Sequence, residues 1–198
     1  VMVSPASAQS TKLDGQFRAW LENDLWPMAS AQGVSRQTFD RSFDGVQLNL
    51  DLPDLVTPGK KPKVAEKQHQ AEFSSPAGYF AEKTVSQLVS GGKSRLGQSG
   101  KLLKSIEKKY GVPAPIILAI WGRESGFGVA QGKYPVFSVL GTKAFMSTRK
   151  DLFQKEVLAA LKIVEKGYAT PQIMKVSWAG AMGQPQFLPS SYLDHAVD

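Results

Sequence analysis

Residues Ile116 to Trp121 read Ile-Ile-Leu-Ala-Ile-Trp, an unbroken apolar run standing just behind Pro113 and Pro115. Prolines are tolerated in the first turn of a helix, where the N–H they lack would be unpaired in any case. The run is therefore expected to be the body of a helix that is apolar all round, and such a helix belongs in the middle of a domain. It is far too short to cross a bilayer, which takes about 20 apolar residues. The chain must enclose it without covalent help. It has 198 residues and no cysteine, so disulfides and thiolate zinc sites are excluded. His69 and His195 are the only imidazoles, too few for a histidine-cluster metal site. A hydrophobic share of 42% and a charged share of 21% exclude wholesale disorder and leave one generous domain or two small ones.

The remaining periodicity is helical. Phe17, Trp20, Leu21 and Leu25 fall on one face, and the Trp26-Pro27 step ends or resets that helix. Gly33 is the expected C-cap, and Ser35 the N-cap of a short helix carrying Phe39 and Phe43. From Gly45 to about Gln70 the texture changes. Leu48, Leu50 and Leu52 alternate with polar residues, then prolines and a lysine-rich run follow, which predicts an extended segment and a long irregular surface loop. A helix is expected from Ser75-Pro76 to Val89, stopped by Gly91-Gly92, and a second over 95–110 with Leu102, Leu103, Ile106 and Tyr110 on one side. Leu152, Phe153, Val157, Leu158, Leu161 and Val164 predict a helix over 149–166, with Asp151 and Glu156 on its solvated side. A last short helix is expected to start at Pro189 or Ser190. No internal repeat or strand–helix alternation appears, so the class is mainly α.

The chain carries 24 Lys/Arg against 17 Asp/Glu. Residues 59–109 alone hold 11 against 4, which is the whole surplus of +7. A basic stretch of this kind suits an anionic partner, or is simply a solvated face. Its lysines are not interleaved with aromatic stacking residues, so nucleic acid is not expected as the partner. Ala6-Ser7-Ala8 has the small-x-small form of a signal-peptidase site, and residues 1–9 read as the remnant of an export signal.

Glu124 stands at the end of the apolar run, in Trp121-Gly-Arg-Glu-Ser-Gly-Phe-Gly128. Burial among apolar groups disfavours an ionised carboxyl, so Glu124 is expected to be held protonated, as general-acid chemistry on a glycosidic oxygen requires. Pairing with Arg123 or a distant lysine is the plainer alternative. Ordinary glycosidases need two carboxylates. Segments 112–140 and 176–193 contain no Asp or Glu besides Glu124, which favours a mechanism using one. The second dense segment, Ser177 to Tyr192, combines small residues with Gln186, Ser177 and aromatic side chains. It offers amide, hydroxyl and flat faces suited to a sugar, and reads equally as a turn between packed helices.

Tyr110-Gly-Val-Pro113, Ile116 to Gly128 with its Glu-Ser-x-Phe-Gly core, and Ser177-Trp-Ala-Gly-Ala-Met-Gly-x-x-Gln-Phe-x-Pro-Ser-Ser-Tyr192 together resemble the lytic murein transglycosylase B family in order and spacing. The match covers roughly residues 70–198. The resemblance implies a lysozyme-like helical domain over 71–198, preceded by N-terminal helices and an extended loop over 10–70. It also implies non-hydrolytic cleavage of the MurNAc–GlcNAc β-1,4 bond of peptidoglycan to 1,6-anhydromuramyl products. Glu124 falls on the family's single catalytic acid/base. Ser177, Gln186 and Phe187 fall on cleft positions, with Met182 and Tyr192 nearby. Leu152 stands where some members carry a cleft tyrosine. Relatives carry an EF-hand-like calcium loop after the residues matching Ala196-Val197-Asp198, so the chain reads as C-terminally truncated and no metal or cofactor is expected. The expected partners are peptidoglycan glycan strands and, beyond them, cell-wall synthesis or division proteins, in the periplasm and in association with the outer membrane. A peptidoglycan-binding or scaffolding module without catalysis is the competing expectation.

Overall fold

A computed structural model of the chain describes residues 5–57 and 76–196. These are mainly helical, as the spacing predicts, and fall into two compact units. One is built from 5–57, 132–182 and 187–196, the other from 76–131 and 183–186. The sequence-based division near residue 70 differs from this, because the N-terminal helices share a core with 132–182. The lysine-rich run at 60–67, His69, Ser75 and Asp198 lie outside the described residues, as do residues 1–4 of the export-signal remnant.

In the first unit, α1 (Pro5–Trp20) passes through a π-helical turn (Leu21–Leu25) into α2 (Trp26–Ala31). The Trp26 N–H bonds to the Leu21 carbonyl five residues back, and this widened turn accommodates Pro27, which has no N–H to give. Pro27 thus resets the helix without ending it. Gly33, at φ +82°, lets the chain reverse after α2. The Ser35 hydroxyl accepts the Thr38 N–H at 3.2 Å and caps α3 (Arg36–Phe43). The alternating leucines of 45–57 form no strand: Leu52 is buried and Leu48 rests on the core, while Leu50 is exposed.

The centre of this unit is α7 (Val136–Met146), which the spacing does not predict and which buries all of its residues but Ser138. It packs between the N-terminal helices and α8 (Lys150–Glu165). Aromatic rings run through the core from Trp26 to Phe39, Phe43 and Phe137, with centroids 5.3, 5.0 and 5.3 Å apart. Gly141 of α7 sits where two rings crowd the helix, since a Cβ would come 3.3 Å from both the Phe17 and the Phe43 ring. Strands β1 (Tyr134–Pro135) and β2 (Lys175–Val176) pair antiparallel, and α9 (Pro189–His195) closes against α8.

The second unit is a helical pair. After α4 (Pro76–Tyr79), α5 (Glu82–Tyr110) runs straight through Gly91-Gly92 and kinks at Ser99, where φ is −118° and ψ 15°. The glycines do not stop the helix as expected, because they are where another side chain approaches it closely. Gly111, at φ +72°, closes α5, and α6 (Ala114–Ser125) follows with Pro115 in its first turn. Its core is small: Leu103, Ala114 and Leu118 are buried, with Ile117, Trp121 and Phe127 packed against them. The expectation that α6 is buried all round is corrected, since Ile116 and Ile120 are 51% and 53% exposed. One neighbouring helix can cover only one face of another. Among the described residues no helix is long and apolar enough to cross a membrane.

Candidate functional site

Glu124 lies in the last turn of α6, on the face of Ile116 and Ile120 at four-residue intervals, and it is exposed. The expected apolar enclosure of its carboxyl is therefore absent within the second unit, for the same reason that the two isoleucines are uncovered. Among the described residues no basic group pairs with Glu124 within 4.0 Å. Its neighbour Arg123 turns elsewhere: Nη2 donates to the Tyr79 carbonyl at 2.9 Å, and the guanidinium lies 4.0 Å from the centre of the Tyr79 ring. The alternative of an Arg123–Glu124 pair is thereby removed.

The chain after Glu124 turns sharply. Gly126, Phe127 and Gly128 have φ of +57°, +60° and +89°, three left-handed residues in succession. Ser125 is buried and its hydroxyl accepts the Gly128 N–H at 2.9 Å, while the Ser125 carbonyl accepts the Ala130 N–H at 2.8 Å. The turn Gly183–Gln186 belongs to this unit too. A Cβ at Gly128 would come within 2.7 Å of the Gln184 side chain, so that turn runs tight against the residue four beyond Glu124. Gln186 stands in the left-handed region at φ +52°, and its Nε2 donates to the Gly183 carbonyl at 2.8 Å.

The other expected site residues lie in the first unit. Met182 and Phe187 exchange backbone hydrogen bonds of 2.8 and 3.0 Å, and Met182 also bridges to Val176. The Ser177 hydroxyl accepts the N–H groups of Ala179 and Ala181 at 3.3 and 3.2 Å, so its acceptor capacity shapes the turn that carries Trp178. Trp178 and Phe187 are each 39% exposed, while Tyr192 on α9 is half-buried against the core. Glu124 and Gln186 thus share one unit, whereas Ser177, Met182, Phe187 and Tyr192 share the other. Leu152 lines a surface groove of about 350 Å³ with Ser147, Arg149 and Asp151.

Two residues that bear on this strip escape the sequence reading. Glu156, expected on a solvated face, is buried; its carboxylate accepts the Ser190 N–H at 2.9 Å and the Ser190 hydroxyl at 2.7 Å, tying α9 to α8. Its position three after Phe153 and one before Val157 was the available signal. Lys143 is fully buried in α7. Its Nζ lies 4.9 Å from the Phe153 ring centre and 5.1 Å from that of Trp178, and donates to the Pro53 carbonyl at 3.4 Å. Burial holds its ammonium below the usual lysine range, opposed by the charge of Asp54. Among the described residues no three His, Asp or Glu side chains come together as cation ligands.

The family model described as Transglycosylase SLT domain matches residues 16–198. Membrane-bound lytic murein transglycosylase B of Escherichia coli (strain K12) is 40% identical over 90 residues, 45% of this chain and 25% of that protein. SltB3 from Pseudomonas aeruginosa in complex with NAG-NAM-pentapeptide superposes with a TM-score of 0.73 at 31% identity, covering 92% of this chain and 46% of that one. The same protein in complex with NAG-anhNAM-pentapeptide gives 0.72 at 33% identity over the same shares. The chain spans about half the length of that structural relative and a quarter of the curated one. The motifs, the helical architecture and these likenesses agree, and the chain belongs to the Transglycosylase SLT domain family.

Proposed function

We propose that this chain cleaves the β-1,4 bond between N-acetylmuramic acid and N-acetylglucosamine in peptidoglycan, without water, using Glu124 as acid and then as base. The observation that carries the reading is a carboxylate at the end of α6 that pairs with no basic group among the described residues, in a segment that holds no second acid. In the first half-reaction the Glu124 carboxyl gives its proton to the glycosidic oxygen as the C1–O bond breaks. In the second, the muramyl 6-hydroxyl attacks C1 of its own sugar and the Glu124 carboxylate takes that hydroxyl's proton. A 1,6-anhydro ring forms, Glu124 regains its starting state, and no cofactor enters the balance. The anhNAM ligand of the Pseudomonas relative is a product of this type.

An exposed carboxyl is suited to proton donation only when water is withdrawn from it. A glycan strand laid along the Ile116–Ile120–Glu124 ridge supplies that cover, replacing solvent with sugar and apolar side chain. The Gln186 amide, in the same unit as Glu124, is a sugar-contacting group in this reading, and within the first unit the open face of Phe187 is proposed separately as another. Glycan strands are the substrate, and the cell envelope is the place of action, with the basic surplus of 59–109 suited to an anionic wall.

Digestion of purified peptidoglycan followed by mass spectrometry of the muropeptides tests the reaction. Anhydromuramyl ends are expected, and reducing ends carrying added water overturn it in favour of a hydrolytic muramidase. Glu124→Gln is expected to lower turnover by about 10² to 10⁴, with an unchanged circular dichroism spectrum; full activity removes Glu124 from its role. The exposure of Glu124 favours one second reading, a wall-binding module without catalysis. Co-sedimentation with insoluble wall and no product on long incubation would establish that instead.

A further inference from the structure

We infer that Phe127 is a positioning residue for Glu124, acting as a latch whose ring is received by glycines of two helices. The inference rests on the acid/base role proposed for Glu124 and adds what holds that group in place. Phe127 is a bulky residue in the left-handed region at φ +60°, a conformation that persists only where the surroundings impose it. Here two helices impose it. A Cβ at Gly91 would lie 2.5 Å from the Phe127 ring, and one at Gly122 would lie 2.7 Å from it. The ring therefore rests on bare backbone of α5 and of α6 at once, with Gly92 beside it and the Trp121 ring set edge-on at 5.6 Å. This is why Gly91-Gly92 can sit inside a continuous helix: they form a seat and not a stop.

The latch fixes the end of the helix that bears Glu124. Gly126 donates its N–H to the Gly122 carbonyl at 2.9 Å and Phe127 donates to the Trp121 carbonyl at 3.3 Å, so the backbone of Glu124 is bracketed by bonds that the seated ring keeps in register. Lifting the ring from its seat releases both bonds and lets the last turn of α6 fray, carrying the carboxyl with it. Misplacement of a catalytic group by about 1 Å lowers the chemical step by roughly 10²-fold and leaves substrate binding largely as it was.

Gly91→Ala tests this in the full chain, with Gly97→Ala as control, since a Cβ at Gly97 meets nothing within 4 Å on the same helix. Gly91→Ala is expected to lower kcat by about tenfold or more with KM changed by less than about threefold. Amide exchange at Gly126, Phe127 and Ala130 is expected to quicken by about tenfold. Gly97→Ala should move neither. In a Phe127→Leu background, where the smaller side chain leaves room for the methyl group, Gly91→Ala should have less than about a twofold effect. The inference is overturned by a Gly91→Ala protein that matches Gly97→Ala, by a loss confined to KM, by faster exchange with unchanged kcat, or by an effect that persists in full in the Phe127→Leu background. Glu124→Gln with full turnover sinks the acid/base role instead. The exchange rates and the double-variant comparison still decide whether the latch exists.

Discussion

The Glu156 carboxylate receives both the N–H and the hydroxyl of Ser190 while itself having almost no exposure. A buried acid so engaged holds α9, and with it Tyr192, against α8. Hydrogen bonds to a charged group are worth about 1.5–3 kcal/mol each, and Ser190, being half-buried, regains part of that from water, so Glu156→Ala is expected to destabilise the protein by about 2–4 kcal/mol. Urea denaturation should show this as a lower midpoint with an unchanged slope, and Glu156→Gln should lose less because it can still accept from Ser190. Phe127 presents the opposite case, a residue in a conformation that costs about 1–3 kcal/mol and is repaid by the seating of its ring. Glu124 shows what residue type alone conveys: its place in the motif was legible, its surroundings were not. An apolar sequence neighbourhood says what a side chain follows along the chain, and exposure depends on what the rest of the fold lays over it.

At the level of elements, α6 and α7 exchange the roles their sequences suggest. The run from Ile116 to Trp121 looks like a central helix and leaves one face open, whereas Val136–Met146, with its glycine, threonine and lysine, is the helix that lies in the core. Periodicity located α3, α6, α8 and α9 because their caps and stripes are local signals: Ser35, Pro115 and Pro189 mark starts, and Phe153 to Val164 mark a face. It missed α7 because an element buried on every side has no polar face to give it a period, and it split α5 because a glycine pair reads the same whether it ends a helix or admits a ring. Lys143 exposes the physics of α7 to measurement. Its ammonium is desolvated between Phe153 and Trp178, which returns about 1–2 kcal/mol through each ring's face at best. Desolvating a charge costs several kcal/mol. Lys143→Met is thus expected to leave stability within about 1 kcal/mol of the parent or to raise it, read as the thermal midpoint. Tryptophan fluorescence would report whether Trp178 keeps its place.

For the whole chain, stability is unevenly shared: the first unit has a long aromatic core and the second only a few buried side chains. Surface carboxylates bind parts of the first unit together. The Thr38 hydroxyl and the backbone and hydroxyl of Ser35 donate to Glu165, joining α3 to the end of α8, and Arg36 grips Glu22 with bonds of 2.7 and 2.8 Å. These donors hold both carboxyls below the usual glutamate range. A carboxyl depressed in the folded state stabilises it above the ordinary range of the unfolded chain, and that contribution fades as pH falls through the folded value. The thermal midpoint is expected to decline on acidification below about pH 4.3, and less steeply in the Glu22→Gln, Glu165→Gln double variant. Both groups are open to solvent, so the difference should be modest and should shrink in high salt.

The π-helical turn at Leu21–Leu25 has a consequence for how this chain can vary. The buried residues Leu13, Phe17, Leu21, Leu25 and Ala29 recur at every fourth position, a spacing that creeps around an ordinary α-helix by about 40° at each step. One slack coil in the middle slows that creep and keeps the late members of the series aimed inward. Asn23, open to solvent in that coil, can change its chemistry freely, yet removing it would swing everything downstream by about 100°. In this stretch the molecule is indifferent to spelling and strict about metre.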